Sequence, residues 1–372
     1  MKPIRILHII GSLHSGGMEN FIMNLYRAID REKVQFDFVE HTKSDPSYVA
    51  EVEALGGHVY RLPRLTSHPC KNLKAIKRLV RENGYVAVVR HTPNALIAPQ
   101  LRAAYKAGAV AICHSHNTTD PKKLLHRVGR RMLRTDRIQK FACSEDAGKW
   151  MYKDKSFRVI HNAIDIDKYA FDEEKRAKIR SEFGITDARH VYGNIANFLP
   201  SKNHSFLLDI YAEIGRLDAS AVFFCLGRGE LLEEMKKKAD SLGLTQRIYF
   251  TGSRPDANAF MSAFDVMIFP SLFEGLPLTL IEAQASGLRI LLSDTITDAV
   301  SVTDGLLNWE DIRKPAKIWA GRAIQLAKDA SDAGRPDTRL QIQRAGYDVR
   351  EIAKWYEEYF LTIGRKESTQ SK

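Results

Sequence analysis

The chain has 372 residues, 44% hydrophobic and 27% charged. That balance excludes a disordered or low-complexity protein, and the length suits two domains of about 150–200 residues each. The net charge of +11 is unevenly placed: residues 1–160 hold 28 Lys and Arg against 14 Asp and Glu, whereas the remainder holds 28 against 31. A basic first half is expected to face something anionic. No stretch approaches the roughly 18 apolar residues of a membrane span, and the apolar run 4–10 is too short for a signal peptide. Cys70, Cys113, Cys143 and Cys225 form no close pair. They are read as reduced and mostly buried, which places the protein in the cytoplasm.

In chain order, short apolar runs rich in β-branched or aromatic residues occur at 4–10, 34–39, 58–62, 85–89, 110–114 and 138–143. Helical stretches at 19–29, 71–81 and 94–106 separate several of them. The alternation restarts near His190, with strand-like runs at 191–196, 221–226, 247–251, 265–270 and 288–293. Helices are expected between them at 204–214, 230–242, 257–263 and 277–285. Such alternation predicts an α/β protein with two doubly wound parallel sheets, each covered by helices. Ligands are expected in a cleft at the strand carboxyl ends. The expected boundaries are 1–165 and 166–345, with 152–189 as the bridge. A last segment, 346–372, carries an amphipathic helix (349–360) that packs back on the first domain, followed by a polar tail.

The most informative motif is Phe273-Glu274-Gly275-Leu276-Pro277-Leu278-Thr279-Leu280-Ile281-Glu282-Ala283. It follows a buried strand, so Glu274 and Gly275 should lie at that strand's carboxyl end. Pro277 suits the first helical position. The free amides of Leu278 and Thr279 then form the positive end of a helix, an anion site. Glu282 lies about 7–8 Å further along the axis, a reach that spans a diphosphate to its ribose. Glu274 sits on the loop, where the hydroxyls of a transferred sugar would lie. Two glutamates near a helix start are also ordinary, and alone they would decide nothing. A second turn, Gly11-Ser12-Leu13-His14-Ser15-Gly16-Gly17-Met18-Glu19, joins the first strand to the first helix. Gly16 and Gly17 would let a backbone approach phosphate closely. The spacing is not that of a dinucleotide fold, which argues against NAD.

The Glu-x7-Glu spacing within Pro270-Ser271-Leu272-Phe273-Glu274-Gly275-Leu276-Pro277 resembles the donor signature of the retaining GT-B glycosyltransferases of family 4, and the resemblance covers nearly the whole chain. Ile160-His161-Asn162-Ala163-Ile164-Asp165 is similar to the family's Asn-Gly-Ile-Asp segment, with alanine for glycine. Leu226-Gly227-Arg228-Gly229-Glu230 and Phe250-Thr251-Gly252-Ser253-Arg254 match two further donor-domain turns. The resemblance is strongest to transferases of bacterial exopolysaccharide and capsule synthesis. It implies that Glu274 holds sugar hydroxyls, Glu282 the ribose, and Arg254 with Pro255 the base. The backbone from Gly275 and Leu276 to Leu278 and Thr279 would line the phosphates, with Gly16 and Gly17 facing them from the first domain.

In Asn197-Phe198-Leu199-Pro200-Ser201-Lys202-Asn203-His204, Lys202 fits the family's phosphate lysine. The family usually carries an arginine five residues earlier, where this chain has Asn197. Arg228 or Arg254 could compensate, and the sequence leaves the choice open. The departure also keeps open a non-catalytic GT-B subunit that binds nucleotide-sugar or a partner transferase. A sugar-nucleotide epimerase of the same architecture is disfavoured by the paired glutamates and the basic first half.

In Ile112-Cys113-His114-Ser115-His116-Asn117-Thr118, a strand-end histidine resembles the family residue beside the donor sugar. His116 is favoured over His114 on the expectation that strand alternation turns only one of them inward. A His-x-His pair without further ligands at useful spacing does not make a metal site. Asp165-Ile166-Asp167 mimics the Asp-x-Asp metal motif of another transferase fold. It falls in the interdomain segment, and GT-B enzymes use helix dipoles and basic side chains there, so no metal or other cofactor is expected.

Cations alternate with apolar residues from Pro121 to Arg134, and a second basic run holds Arg61, Arg64, Lys71, Lys74, Lys77, Arg78 and Arg81. Each could be a solvated helix face. Together they point to an anionic membrane surface, with residues contributing about 1 kcal/mol each. A nucleic-acid partner is disfavoured for want of aromatic stacking residues. The expectation is therefore a retaining transferase moving sugar from a nucleotide-sugar, a UDP-sugar, to a lipid-linked glycan, peripheral on the inner face of the cell membrane.

Overall fold

The computed structural model describes residues 2–14, 16–42, 47–117, 123–133 and 135–370. Ser15 of the glycine turn, Thr118 of the histidine strand end, and Pro121, Lys122 and Arg134 of the basic run lie outside them. The chain divides into two compact units: Met1–Ala163 with Gly346–Lys372, and Ile164–Ala345.

The first unit is a seven-stranded sheet built from β1 (Ile4–Ile9), β2 (Val34–Glu40), β3 (Val59–Arg61), β4 (Ala87–Thr92), β5 (Val110–Ser115), β6 (Ile138–Ala142) and β7 (Arg158–Val159). The order is β3-β2-β1-β4-β5-β6-β7, with every pairing parallel. Strands buried on both faces read as nearly continuous apolar runs, which is why they were visible in the sequence. Two apolar clusters cover the two faces. One gathers Leu7, Val88, Leu101 and Met151; the other gathers Ile6, Phe21, Phe36 and Phe141. The helix Val349–Gln370 completes the second cluster, burying Tyr356 and Phe360 fully. Each such side chain contributes about 1.5–3 kcal/mol. This helix continues through most of the segment expected to be a polar tail.

The second unit is a six-stranded sheet of β8 (Val191–Ile195), β9 (Val222–Leu226), β10 (Ile248–Gly252), β11 (Val266–Phe269), β12 (Arg289–Ser293) and β13 (Leu307–Glu310). Its order is β10-β9-β8-β11-β12-β13, again all parallel. The edge strand β13 went unrecognised, because Leu307-Asn308-Trp309-Glu310 is polar at alternate positions and only half-buried. The long helix Ala316–Ala333 was also missed, although Trp319, Ala320, Ala323, Leu326 and Ala327 mark its buried face at helical spacing.

The stretch 152–189 is not a free bridge. Its first part adds β7 to the first sheet, and the helices Ile166–Tyr169 and Glu173–Glu182 belong to the second unit. Aspartates cap both helices, with Asp165 accepting from Lys168 N at 3.2 Å and Asp172 from Lys175 N at 3.0 Å. Among the described residues, no helix is long and apolar enough to cross a membrane.

Candidate active site

The second unit brings Lys202 and Glu274 together. Lys202 Nζ lies 2.5 and 2.6 Å from the two Glu274 carboxylate oxygens. The lysine side chain is 20% exposed and the glutamate 8%, so the pair is largely withdrawn from water. Two strand-end loops make this possible. After β8, Phe198 is fully buried and stacks on His204 at 4.1 Å, which anchors the loop. The single turn Pro200–Lys202 then ends in Asn203, whose φ of 55° is left-handed. Asparagine tolerates that conformation, and its amide donates to the Pro270 carbonyl at 3.2 Å. After β11, Leu272 N donates to Ser201 O at 2.8 Å, and Thr295 Oγ1 donates to Ser271 O at 2.8 Å. The two loops are thereby laced into one rim, with Lys202 and Glu274 facing each other across it.

The helix that follows starts at Leu278, one residue later than expected, and Pro277 serves as its N-cap. Leu280 N is taken up by Pro277 O at 3.1 Å. The amides of Leu278 and Thr279 have no backbone acceptor among the described residues, which is the arrangement an anion would complete. Gly275 has open space where a Cβ would stand, and Leu276 packs its side chain against the unit's core. Glu282 lies one turn along the helix. Burial raises its carboxyl pKa above the ordinary value, opposed by a hydrogen bond with Tyr169 and the nearby Lys168. Tyr169 and Lys168 were not singled out in the sequence. The signal was there, since both lie in the short helix directly after the segment resembling Asn-Gly-Ile-Asp.

Arg254 and Asn197 contribute differently. Arg254 is held by Asp256, with Nη2 to Oδ2 at 2.8 Å, and by Glu182, with Nη1 to Oε1 at 3.3 Å. Its guanidinium lies 5.1 Å from the centre of the Phe260 ring. Asn197 is exposed at the end of β8.

In the first unit, Gly16 caps the helix Gly17–Ala28. A Cβ at Gly16 would stand 2.6 Å from Glu19 Oε2, whereas a Cβ at Gly17 would meet nothing within 4 Å. Glu19 is buried beside Gly16, and burial raises its pKa. A carboxyl group therefore already fills the space at Gly16, and Gly17 is the open position of the turn.

His114 and His116 both point to the same side of β5, which corrects the expectation that alternation separates them. Residues two apart on a strand share a face, and these two rings lie 4.2 Å apart. A third and a fourth imidazole join them. His91 stands beside His114 in the β4–β5 register, and a chain of hydrogen bonds runs from His8 Nδ1 to His91 Nε2 and from His91 Nδ1 to His116 Nε2, each 2.9 Å. Burial holds all four rings neutral near pH 7, pushing His8 and His116 down to about 3 and His91 and His114 well below their ordinary value. Ligand atoms of His91, His114 and His116 lie within 4.8 Å of one another, so a third histidine at metal-ligand distance does exist. An ion there would have to break the His91–His116 hydrogen bond, and no carboxylate in that trio would offset its charge. The cluster is a hydrogen-bonded network in which His91 fixes the orientation of the His116 ring. The pairing of His8 and His91 with His116 was not legible in the sequence, because it joins three strands by register.

Two parallel doubly wound sheets, with an ion pair and an open helix start on the strand-end loops of the second, define the GT-B class of glycosyltransferases. The chain belongs to glycosyltransferase family 4. The model of Glycosyltransferase Family 4 matches residues 15–168, and that of Glycosyl transferases group 1 matches 175–307. A Bacillus subtilis (strain 168) protein described as "Putative glycosyltransferase EpsF" is 33% identical over 370 residues, covering 93% of this chain and 94% of its own. The Escherichia coli UDP-Gal:alpha-D-GlcNAc-diphosphoundecaprenol alpha-1,3-galactosyltransferase is 30% identical over 139 residues, 37% of this chain and 36% of its own. Among solved structures, Anabaena HepE in complex with UDP and glucose superposes with a TM-score of 0.74 at 18% identity, over 96% of this chain and 99% of that one. The protein is a glycosyltransferase.

Proposed function

We propose that this glycosyltransferase moves a sugar, with retention, from a UDP-sugar to a lipid-linked glycan during cell-surface polysaccharide synthesis. The observation that carries the reading is the Lys202–Glu274 pair beside the open helix start at Leu278. When donor binds, Lys202 turns to the diphosphate and Glu274 is released to the sugar hydroxyls. Leu278 and Thr279 amides receive phosphate oxygens, and Glu282 accepts from the ribose. The acceptor oxygen attacks C1 from the face that the phosphate leaves. As the C1–O bond to phosphate breaks, the acceptor proton passes to the departing phosphate oxygen. Lys202 and the helix start stabilise the negative charge that develops there, which places no demand for a metal on the site. The diphosphoundecaprenol in the name of the Escherichia coli relative supports the acceptor class.

Calorimetric titration without added metal tests the donor site. Wild type is expected to bind UDP more tightly than GDP, and Glu282→Ala to lose about tenfold or more, the effect of removing a charged hydrogen-bond partner. Because burial raises the Glu282 pKa, its carboxylate becomes protonated at a higher pH than an ordinary glutamate. UDP affinity should then fall as pH drops toward that raised value, and Glu282→Gln should remove that part of the dependence, leaving the titration of the terminal phosphate of UDP. Failure of wild type to bind either nucleotide would sink the assignment.

The membrane reading rests on the helix Lys123–Leu133, where Arg127, Val128, Arg131 and Met132 are exposed on one face. This pattern suits shallow docking on anionic lipid. Vesicles containing phosphatidylglycerol should sediment the protein and pure phosphatidylcholine vesicles should not. Arg127→Glu with Arg131→Glu should abolish the difference, and equal binding to both vesicle types would count against an electrostatic surface.

A further inference from the structure

The carboxyl ends of β8 and β9 are bound together more closely than the strands require. Their register runs from Val191↔Val222 to Ile195↔Leu226. Beyond it, Ala196 N donates to Leu226 O and Phe198 N to Arg228 O, both at 2.9 Å. The ladder thus continues for two residues past the strands, and Asn197 and Arg228 stand side by side as the next register partners but one after Ile195 and Leu226. The glycines flanking Arg228 permit this approach. A Cβ on Gly227 would lie 2.0 Å from Ala196 O, and one on Gly229 would lie 2.5 Å from Phe198 O. Both have positive φ, 150° and 154°, where a side chain would be strained as well as obstructed. The Gly-Arg-Gly turn is therefore shaped to hold one residue, the arginine, against the loop that carries Asn197 and Lys202.

That arginine is half-buried, and among the described residues its guanidinium has no hydrogen-bond or ion-pair partner. The other strand-end cations of this unit are engaged. Lys202 is paired with Glu274, and Arg254 is held by Asp256 and Glu182. A half-buried guanidinium with no protein counter-charge keeps its N–H donors available to an anion. The guanidinium fork suits phosphate oxygens, which it can hold through two parallel hydrogen bonds.

We propose that Arg228 is a ligand of the donor diphosphate, supplying from the β9 turn the positive charge that Asn197 does not bring from the β8 loop. The inference rests on the donor-site reading above and deepens it. The charge has moved sideways by one strand, and Arg254, already neutralised, is not the replacement. Arg228 and Lys202 then hold the two phosphates from neighbouring loops, so Asn197 is compatible with full activity and does not mark a silent relative.

The test uses the full chain and titrates UDP and uridine into wild type, Arg228→Ala and the double variant Asn197→Arg/Arg228→Ala, with thermal melts confirming that each is folded. Arg228→Ala should bind UDP about tenfold or more weakly, with uridine binding unchanged, as expected for loss of a charge-assisted phosphate contact. Restoring the charge on the adjacent strand, in the double variant, should recover most of the UDP affinity. Unchanged UDP affinity in Arg228→Ala overturns the inference while leaving the donor site standing. A loss that Asn197→Arg does not rescue overturns it too, because the two positions would then not be equivalent. If wild type binds neither UDP nor GDP, the donor-site reading itself falls, and this inference with it.

Discussion

Lys202→Ala is expected to lower the rate of transfer by about 10²–10³, the usual effect of removing a group that stabilises charge developing on a leaving group. The reduction should appear in kcat more than in KM, since the charge on the diphosphate grows as the glycosidic bond breaks. Lys202→Ala also leaves the Glu274 carboxylate, 8% exposed, without its counter-charge, so some loss of stability is expected, and thermal melts run beside the kinetics separate a loss of fold from a loss of rate. Lys202→Arg retains the charge and should keep more activity than alanine, although its planar fork cannot occupy the position of a compact ammonium. The decisive measurement is steady-state transfer with the donor found by nucleotide screening. Activity within threefold of wild type in Lys202→Ala would make the ion pair a structural tie between two loops and nothing more.

The largest stability effect is expected away from the site, at Asp265. Its carboxylate accepts from Arg180 Nη2 at 2.8 and 3.0 Å, from Arg176 Nη2 at 2.9 Å and from Val191 N at 2.7 Å. Arg180 is only 2% exposed. Arg335 lies in the same neighbourhood, and burial pulls its pKa down to about 9 despite the attraction of Asp265. One carboxylate therefore offsets a group of arginines and also pins the start of β8 to the start of β11. Asp265→Ala would strand those cations in a largely dry environment and leave a strand amide unpaired. The expected cost is about 3–5 kcal/mol, the range for breaking a buried pair from one side. Asp265→Asn should cost less, because it can still accept from Val191 N. Urea unfolding at pH 7 checks both, and a loss under 1 kcal/mol for alanine would show that the arginines find other partners.

Asp265 also illustrates what a sequence does and does not disclose. Its strand was legible, since Val266-Met267-Ile268-Phe269 is a continuous apolar run and parallel strands buried on both faces leave that trace. Its partners were not, because Arg176 and Arg180 come from a helix nearly ninety residues earlier in the chain. The same division runs through the candidate site. Lys202, Glu274, Leu278 and Glu282 were visible because they lie at strand-to-helix transitions, where local pattern and family resemblance agree. Their mutual placement was not, because it depends on Asn203 reaching Pro270 and Leu272 reaching Ser201. Tyr169, His8 and His91 escaped notice for a related reason. Each is unremarkable in its own segment and acquires a role only through a neighbour brought in by the sheet or by a short helix. Half-polar edge elements such as β13 fail differently, since burial on one side leaves too weak a periodicity to read.

The return of the chain to its first unit has a consequence for how the protein is made. The first unit is assembled from both ends of the sequence, with residues Gly346–Lys372 joining Met1–Ala163, whereas the second is one uninterrupted segment. On the ribosome the early strands emerge long before the helix that buries Tyr356 and Phe360 against Phe36 and Phe141. At usual elongation rates the intervening segment takes roughly 10–40 s to synthesise. Throughout that interval the early helix Gly17–Ala28 already packs on this cluster, and only the part that Ala353, Tyr356 and Phe360 will cover stays open, while the second unit can fold as soon as its own last strand and helices emerge. The protein therefore finishes folding in the reverse of the order in which its units begin, and the part left open is where a chaperone would act.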